Sequence, residues 1–526
     1  MGGRRACGEP RGRVSRGCAL KEFDEKASDE SGAAGRLGDV PAEEFRAALH
    51  RAADWVADYR ERIEGRRVSP RTEPGEVAAL LPHAMPESPS PLSELFDELD
   101  RVVLPHVVNW GHPSFLGYFG STTTAPGILG EFIAAALNVS AMTWRTSPAA
   151  TELEGVVLGW MRRALGMPEE FTGVVYDTAS VALLHALAAA REGLGLDVRR
   201  RGLAGRGDVP TLRVYASEQA HSSIEKAAIT LGLGEENVRR VATDERFRMD
   251  ARALKRAIEE DLSAGALPLA VVATTGTTSA AACDPVEEIA ELCREHGVWL
   301  HVDAAYGGAL AMLAEYGHVS RALAAADSLV VNPHKWLFVP LDFSALYTRR
   351  PELLRQTFSL VPEYLRGDAE RGEVNYMDYG VQLGRRFRAL KAWAVFKTFG
   401  RAGLESRIRE HLRLARHFAR GIDGLEGFEL AAPQEMAVVC FRALPQRGPD
   451  AGERDARTDE LNRALVEAVN ATGRAYLTHT TLRGRVAARV AVGNVLTEER
   501  HLDALLALLR EEAARLAGGF NVGRAR

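Results

Sequence analysis

DPVEEIAELCREHGVWLHVDAAYGG, residues 284–308, reads as a helix and a strand joined by one glycine. Asp284 can cap the helix, Pro285 fits its first turn, and Glu287 and Glu288 suit its positive end. Val286, Ile289, Leu292 and Cys293 form an apolar stripe, and Gly297 can end the helix. The strand that follows is nearly continuously apolar, the pattern of a strand covered on both faces. The same alternation continues outward on both sides. GVVYDT (173–178), TLRVYAS (211–217), LAVVATT (269–275) and SLVVNP (328–333) read as further strands, and SVALLHALAAAREGLG (180–195) as the helix after the first. Short β-branched runs alternating with helices predict an α/β fold with a mostly parallel sheet.

The flanks read differently. Residues 1–40 lack hydrophobic periodicity, are rich in Arg and Gly, and contain no apolar stretch of a secretory signal, so they are expected to be a tail. EEFRAALHRAADWVADYRERIE (43–64) is amphipathic, with Phe45, Leu49, Ala52, Val56 and Tyr59 on one stripe. Residues 68–91 read as an extended connector, and PLSELFDELDRVVLP (91–105) as another helix. After about Ala389 a long helix leads into a smaller α+β region, whose expected strands lie in FELAAPQEMAVVCFRAL (428–444) and VAARVAVGNV (486–495).

Composition excludes several classes of function. A chain of 526 residues, 46% hydrophobic, can bury a large core. Its net charge of −5 gives no reason to expect nucleic acid or an anionic membrane as partner. No apolar run approaches the ~20 residues that span a bilayer. Cys7, Cys18, Cys283, Cys293 and Cys440 are scattered without metal-ligand spacing, which suits a reducing cytoplasm.

Chemistry concentrates at the ends of the expected strands. Lys335, in VVNPHKWLF, lies just beyond an apolar strand, at the sheet rim where ligand sites collect. Apolar surroundings lower an amine's pKa and favour Schiff-base chemistry, although alone Lys335 reads as an ordinary surface or paired lysine. Asp303 and Ala305 share one face of VWLHVDAAYGG. A buried carboxylate needs a partner, and a protonated pyridine nitrogen is one; the small Ala305 would let a flat ring lie against the sheet. The plainer reading of Asp303 is a strand-end loop cap. In DTASVALLHAL (177–187), Thr178, Ala179 and Ser180 stand where a strand turns into a helix, which favours a phosphate; Ser180 alone would be an N-cap. His221, on a loop after a strand, could stack on a cofactor ring, whereas His185 inside its apolar helix reads as structural. Thr278, in the TGTT string (275–278), is placed to hydrogen-bond a cofactor.

IEGRRVSP, SPAATELE, AHSSIEKA, HVDAAYGG, NPHKWL and LGRRFRALKAW occur in this order. Together they resemble the group II pyridoxal-5′-phosphate (PLP) decarboxylases, and within them the aromatic-L-amino-acid decarboxylases, from about Glu43 to Leu516. The resemblance implies a fold-type-I architecture: a large domain with a mostly parallel seven-stranded sheet and a small C-terminal α+β domain. Its expected parts are the tail (1–40), a helical dimer-interface segment (41–124), the large PLP-binding domain (125–390), the small domain (391–517) and a tail (518–526). It implies a homodimer with active sites at the subunit interface. Lys335 would carry the cofactor and Asp303 would pair with the pyridine nitrogen. Ala179, Ser180 and Asn332 would hold the phosphate, Thr278 would contact the ring side, and His221 would stack above it. His334 would shape the site. The family's animal members carry a Gly-Ser-Ala-Ser-Glu-Ala string where this chain has Asp177-Thr-Ala-Ser-Val-Ala182, and Asp177 would repel a phosphate unless its side chain turns away.

The resemblance further implies that an amino acid loses its α-carboxylate while the protein fixes which Cα bond breaks. Tyr364, in the polar segment VPEYLRGDAERGEVNYMD (361–378), matches the family's proton donor, with Tyr376 and Tyr379 as competitors. Relatives that form aldehydes with oxygen often replace Tyr364 or His221, so keeping both favours simple decarboxylation. Trp110, Tyr118 and Ser121 in NWGHPSFLGYFGS, with Ser140 and Met142 in NVSAMTW, match segments lining the substrate pocket, partly from the neighbouring subunit. Such a lining suits an aromatic ring better than a carboxylate. Gly384 leaves space for an indole, which favours tryptophan slightly over tyrosine or dihydroxyphenylalanine. The competing readings are an aromatic aldehyde synthase, an aminotransferase, a decarboxylase of a non-aromatic amino acid, and a non-catalytic relative, the last opposed by intact Lys335, Asp303 and His221.

Overall fold

The computed structural model describes residues 38–360, 372–445 and 451–522. The chain divides into two compact units, Met1–Ala53 and Asp54–Arg526. The first described helix is Ala42–Glu61, as its stripe predicts. The 68–91 connector contains one short helical turn, Glu76–Ala79.

In the second unit seven strands form one sheet. They are β1 (Thr172–Tyr176), β2 (Leu212–Ser217), β3 (Val238–Val241), β4 (Leu267–Thr274), β5 (Trp299–Asp303), β6 (Ser328–Val331) and β7 (Ser344–Thr348). Their spatial order is β1-β7-β6-β5-β4-β2-β3. β2 through β6 pair in parallel, and β7 runs antiparallel to both β6 and β1. The fold class is therefore the one read from the sequence. The run Leu269–Ala273 on β4 is buried throughout because helices cover both faces.

A second sheet, antiparallel, joins β8 (Phe428–Leu430), β9 (Val438–Ala443), β10 (Thr478–Leu482) and β11 (Arg485–Ala491) in the order β10-β11-β9-β8. β10 and β11 make a hairpin whose two turn residues, Arg483 and Gly484, both have positive φ, as a tight hairpin requires. The long helix Ala389–Asp423 bends at Gly400, whose φ of 61° is not helical.

Asp284 departs from its expected role. Its carboxylate accepts the N–H groups of Met249 and Thr274, each at 2.7 Å, so the Val286–His296 helix has no side-chain cap. Tying the Met249 loop to the end of β4 takes precedence, because a fully buried carboxylate needs both partners. The other end is as predicted: Gly297 takes the left-handed conformation and donates its N–H to Cys293.

The helix Ala125–Leu137 packs on the start of the long helix through Gly130. A Cβ there would lie 2.6 Å from Lys391 Cα and 3.1 Å from Leu390 O, atoms that cannot swing aside. Gly130→Ala is expected to destabilise the fold by about 1–3 kcal/mol. Gly207→Ala, where an added Cβ meets nothing within 4 Å, should leave the thermal midpoint in place. Equal melting of the two variants would refute this account of the packing.

Candidate functional site

The C-terminal ends of β4, β5 and β6 lie side by side, and each carries expected site residues. Backbone bonds lock the three ends together: Thr275 N donates to Asp303 O (2.9 Å), and Asn332 N to Ala305 O (3.1 Å). Asp303 closes β5. Its Oδ1 accepts the Ala305 N–H at 3.1 Å, and among the described residues Oδ2 accepts no hydrogen bond. Ala305 is buried beside it.

Lys335 stands in the single helical turn Pro333–Trp336 that follows β6. Its Nζ lies 5.0 Å from the centre of the Phe119 ring, and no described carboxylate pairs with it. Burial pulls its pKa below the ordinary lysine range; the Asp303 charge opposes this and the Arg489 charge reinforces it. His334 next to it is buried and pushed down to about 3, by burial first and the Lys335 charge second. Phe343 N donates to His334 Nδ1 (3.0 Å), so the neutral ring keeps its hydrogen on Nε2. That nitrogen faces Asn332 Nδ2 at 3.3 Å, two donors that make no hydrogen bond with each other in this tautomer, while Asn332 Oδ1 accepts the Ser344 hydroxyl at 2.7 Å.

His221 follows β2 and precedes the Ser223–Thr230 helix. Its Nδ1 accepts the Ser223 N–H at 3.1 Å, which leaves the hydrogen on Nε2. Its pKa is lowered, chiefly by burial, with the Asp303 charge acting against and the Lys335 charge acting with that shift. Lys335, Asp303 and His221 are thus brought within electrostatic reach of one another.

The helix Ala179–Glu192 begins directly after β1, with extended Thr178 at its N-cap and no side chain capping it. The N–H groups of its first turn, Ala179 and Ser180 included, stay available for an anion. Asp177 is held by donors. Its Oδ1 accepts Thr178 N (2.5 Å) and the Thr178 hydroxyl (3.2 Å), and its Oδ2 accepts the Gln382 amide (3.2 Å). The exposed Thr278 contributes its carbonyl to Arg489 at 3.0 Å.

Trp110 and Tyr118 stack with ring centres 5.5 Å apart, and Tyr118 stacks in turn on Tyr476 at 6.2 Å. Ser121 is half-buried. Ser140 is exposed, with Oγ accepting Arg385 N at 3.4 Å, and the half-buried Met142 accepts Met377 N at 3.1 Å through its carbonyl. No hydrogen bond, ion pair or ring contact among the described residues joins Ser140 or Met142 to Lys335, Asp303 or His221. Tyr364 lies outside the described residues. Its competitors are both held: Tyr376 is buried under the Arg385 guanidinium, and Tyr379 accepts the Tyr176 hydroxyl through its carbonyl. His185 is structural, as read, with Nε2 accepting Val381 N at 3.2 Å.

Sequence reading missed Arg489 on β11. It is buried, donates to the carbonyls of Tyr118 (2.6 Å), Thr278 (3.0 Å) and Ser279 (3.2 Å), and lies 4.6 Å over Phe119. Phe119 thereby carries two cations and stacks on Tyr306 (3.9 Å), which stacks on Trp336 (4.6 Å). A lone arginine within VAARVAVGNV was the available signal, because a charge in an apolar strand needs partners.

The donor set fits a phosphorylated pyridine aldehyde: a desolvated amine, a carboxylate with an open oxygen and an uncapped helix end. Comparison with known proteins agrees. Residues 74–444 match the family model described as the pyridoxal-dependent decarboxylase conserved domain. The chain is 38% identical to tryptophan decarboxylase 2 of Oryza sativa subsp. japonica, over 92% of this chain and 97% of that protein. It is 36% identical to a phenylacetaldehyde synthase of Arabidopsis thaliana, over 93% and 99% respectively. The crystal structure of Oryza sativa TDC with PLP and tryptamine superposes with a TM-score of 0.87 at 36% identity, covering 92% of this chain and all of that one.

The site and its surroundings carry a pH signature. Burial lowers His185, His301 and His411 to about 4 and His334 to about 3. Unfolded, each titrates near ~6.5, so from there down to about 4 the unfolded chain binds more protons and stability falls with pH. Asp284 acts in the opposite sense: burial raises it to about 6, so on acidification from 6 towards 4 it adds stability and offsets one histidine of the four. The thermal midpoint is expected to fall as pH drops below 6.5. A midpoint that rises from pH 6.5 to 5 would contradict this assignment.

Proposed function

The chain belongs to the pyridoxal-dependent decarboxylase family, and on that premise we propose that it removes the α-carboxylate of an aromatic L-amino acid as CO₂ and releases the amine. The observation that carries this reading is Lys335, a desolvated amine that feels the Asp303 charge yet has no carboxylate partner among the described residues. Bound PLP supplies a cationic ring that accepts the electron pair left behind as CO₂ departs.

Each side chain has a part in this reading. Lys335 would hold the cofactor through its side-chain amine. Asp303 keeps a proton on the ring nitrogen through its open oxygen, and Ala305 leaves room for a flat ring. Ala179, Ser180 and Asn332 hold the phosphate, with the Asp177 charge offset by the three donors around it. Thr278 steadies the ring side and His221 covers one face. His334, neutral across the physiological range, shapes the pocket without adding a charge beside Lys335. Tyr364 delivers the proton that replaces the carboxylate at Cα. Trp110, Tyr118, Ser121, Ser140 and Met142 line the ring pocket.

A homodimer is part of the proposal. On the Ala125–Leu137 helix, Leu129, Phe132, Ile133 and Leu137 are 48–60% exposed, an apolar face that a second copy would cover. Ser140 and Met142, which no hydrogen bond, ion pair or ring contact among the described residues joins to Lys335, would then line the partner's site. Among the described residues no helix is long and apolar enough to cross a membrane, and Cys283, Cys293 and Cys440 are free thiols, which supports a cytoplasmic setting. Around Gly384 the space is open, which supports an indole-bearing substrate. Aldehyde synthesis is the second reading, favoured by the likeness to the Arabidopsis synthase and opposed by the presence of both Tyr364 and His221.

CO₂ and amine should both be measured over Trp, 5-hydroxy-Trp, Tyr, dihydroxyphenylalanine, Phe, His and Glu. Aromatic substrates are expected to give amine in step with CO₂, and Glu neither; mainly aldehyde, ammonia and peroxide would sink the reading. Lys335→Ala should abolish the visible absorbance of the bound cofactor together with turnover. Tyr364→Phe should lower kcat by roughly 10²–10⁴-fold, the usual contribution of a positioned proton donor. A Tyr364→Phe enzyme that makes amine at the parent rate would remove Tyr364 from the mechanism.

A further inference from the structure

Three candidate site segments converge on one buried ion pair. Glu154, on the Pro148–Ala164 helix, and Arg385, just before the long helix, meet at 2.7 Å, with side chains only 2% and 4% exposed. The same Glu154 oxygen accepts the Val175 N–H at 3.0 Å. Arg385 spreads over several acceptors: Nη2 also donates to Val175 O (2.8 Å), and Nη1 donates to Ala141 O (2.9 Å). Its main chain grips the same neighbour, since Ala141 N donates to Arg385 O at 2.7 Å. The guanidinium carbon lies 4.7 Å over the Tyr376 ring.

Each contact leads to a different segment, one to this chain's own phosphate cup and another to residues 140–142, which in the proposed dimer line the partner's site. Val175 lies on β1, and the chain leaves that strand directly into Asp177–Ser180 and the uncapped helix end. Ala141 sits between Ser140 and Met142. Tyr376 belongs to a turn tied to the same region by Met377 N on Met142 O (3.1 Å) and Trp144 N on the Asn375 amide (3.1 Å). An arginine fork binds several acceptors in fixed directions, which neither a lysine nor an apolar side chain can do.

We propose that Arg385 and Glu154 are positioning residues that hold the phosphate end of the cofactor site and the substrate-side segment 140–142 in register with one another. The inference rests on the functional reading above for what those two segments bind. The attraction of the two charges is weak evidence of a purely stabilising role, because an apolar pair of similar volume often replaces a buried ion pair at little cost. What the ions add is direction: one guanidinium fixes the strand that feeds the phosphate cup and the segment that faces the substrate.

The test uses the full-length protein as holoenzyme and after removal of PLP, with three variants: Arg385→Lys, Glu154→Gln, and Arg385→Met combined with Glu154→Leu. The last leaves no lone buried charge, so it reports even if a single variant fails to fold. The readouts are the thermal midpoint, the PLP dissociation constant from spectroscopic titration, and KM separately from kcat. The paired apolar variant is expected to fold but melt below the parent, because Val175 N–H, Val175 O and Ala141 O lose their partners, while its PLP dissociation constant and KM each rise about tenfold or more, a usual consequence of misplacing bound groups. Arg385→Lys should weaken cofactor and substrate binding in the same direction. Variants that change only the melting temperature, with both constants within twofold of the parent, would overturn the proposal. So would a paired apolar variant that binds PLP as tightly as the parent. If the unsubstituted protein binds PLP but releases CO₂ from no aromatic amino acid, the functional reading fails, while the titration still decides the positioning role.

Discussion

Half-burying the amine of Lys335 without a carboxylate partner costs free energy, and the surroundings are organised around that cost. A neutral amine is the nucleophile that Schiff-base chemistry needs, so the cost is borne where it is useful. Asp303 is near enough to favour the charged amine yet makes no ion pair with it. Arg489 acts in the other direction from the second sheet, across the Phe119 ring that its guanidinium and the Lys335 amine share. Such a balance survives only if the parts cannot drift. The bonds from Thr275 to Asp303 and from Asn332 to Ala305 fix three strand ends to one another, and the Phe119–Tyr306–Trp336 stack supports the ring beneath the amine.

Local pattern made the central sheet legible. The apolar strand at 299–303 and the amphipathic helix before it could be read residue by residue, because period and end signals are properties of neighbours along the chain. Lys335, Asp303 and the 177–180 turn were legible for a related reason: each sits at a strand end, and parallel strands bring their ends together. Asp284 was misread because a good capping residue can also be the anchor of a distant loop, and sequence alone cannot choose. The reversed direction of β7 carried no signal in its own residues. Arg489 and the Glu154–Arg385 pair were visible only as charges in apolar company; which partners they find depends on tertiary packing.

Phosphate binding shows how a local departure is absorbed. Asp177 introduces a negative charge beside a helix end suited to an anion, yet two donors from Thr178 and one from Gln382 engage its oxygens. The chain supplies this correction from the segment just ahead of Arg385, which links Asp177 to the element that also fixes β1. An aspartate here is thus compatible with an anion site as long as Gln382 stays in place.

Compensation elsewhere makes the incompleteness at the site informative. Arg385 and Glu154 satisfy one another with additional backbone partners, and Lys391 pairs with Glu131 at 2.9 Å. Asp284 has two N–H donors. By contrast, Lys335 has no acid, one Asp303 oxygen accepts no bond, one Arg489 nitrogen is buried without an acceptor, and the Ala179–Glu192 helix starts uncapped. Other buried atoms also lack a partner, among them Arg162 Nε, Arg191 Nε and Glu225 Oε2, so the site is marked by the kinds of group it gathers and not by incompleteness alone. An amine, a carboxylate oxygen and a helix N-terminus are the groups that an aldehyde, a ring nitrogen and a phosphate would engage, and on the proposed reading one bound molecule would satisfy those three together. The remaining buried arginine nitrogen, on β11, is the one that such a molecule would leave without an acceptor.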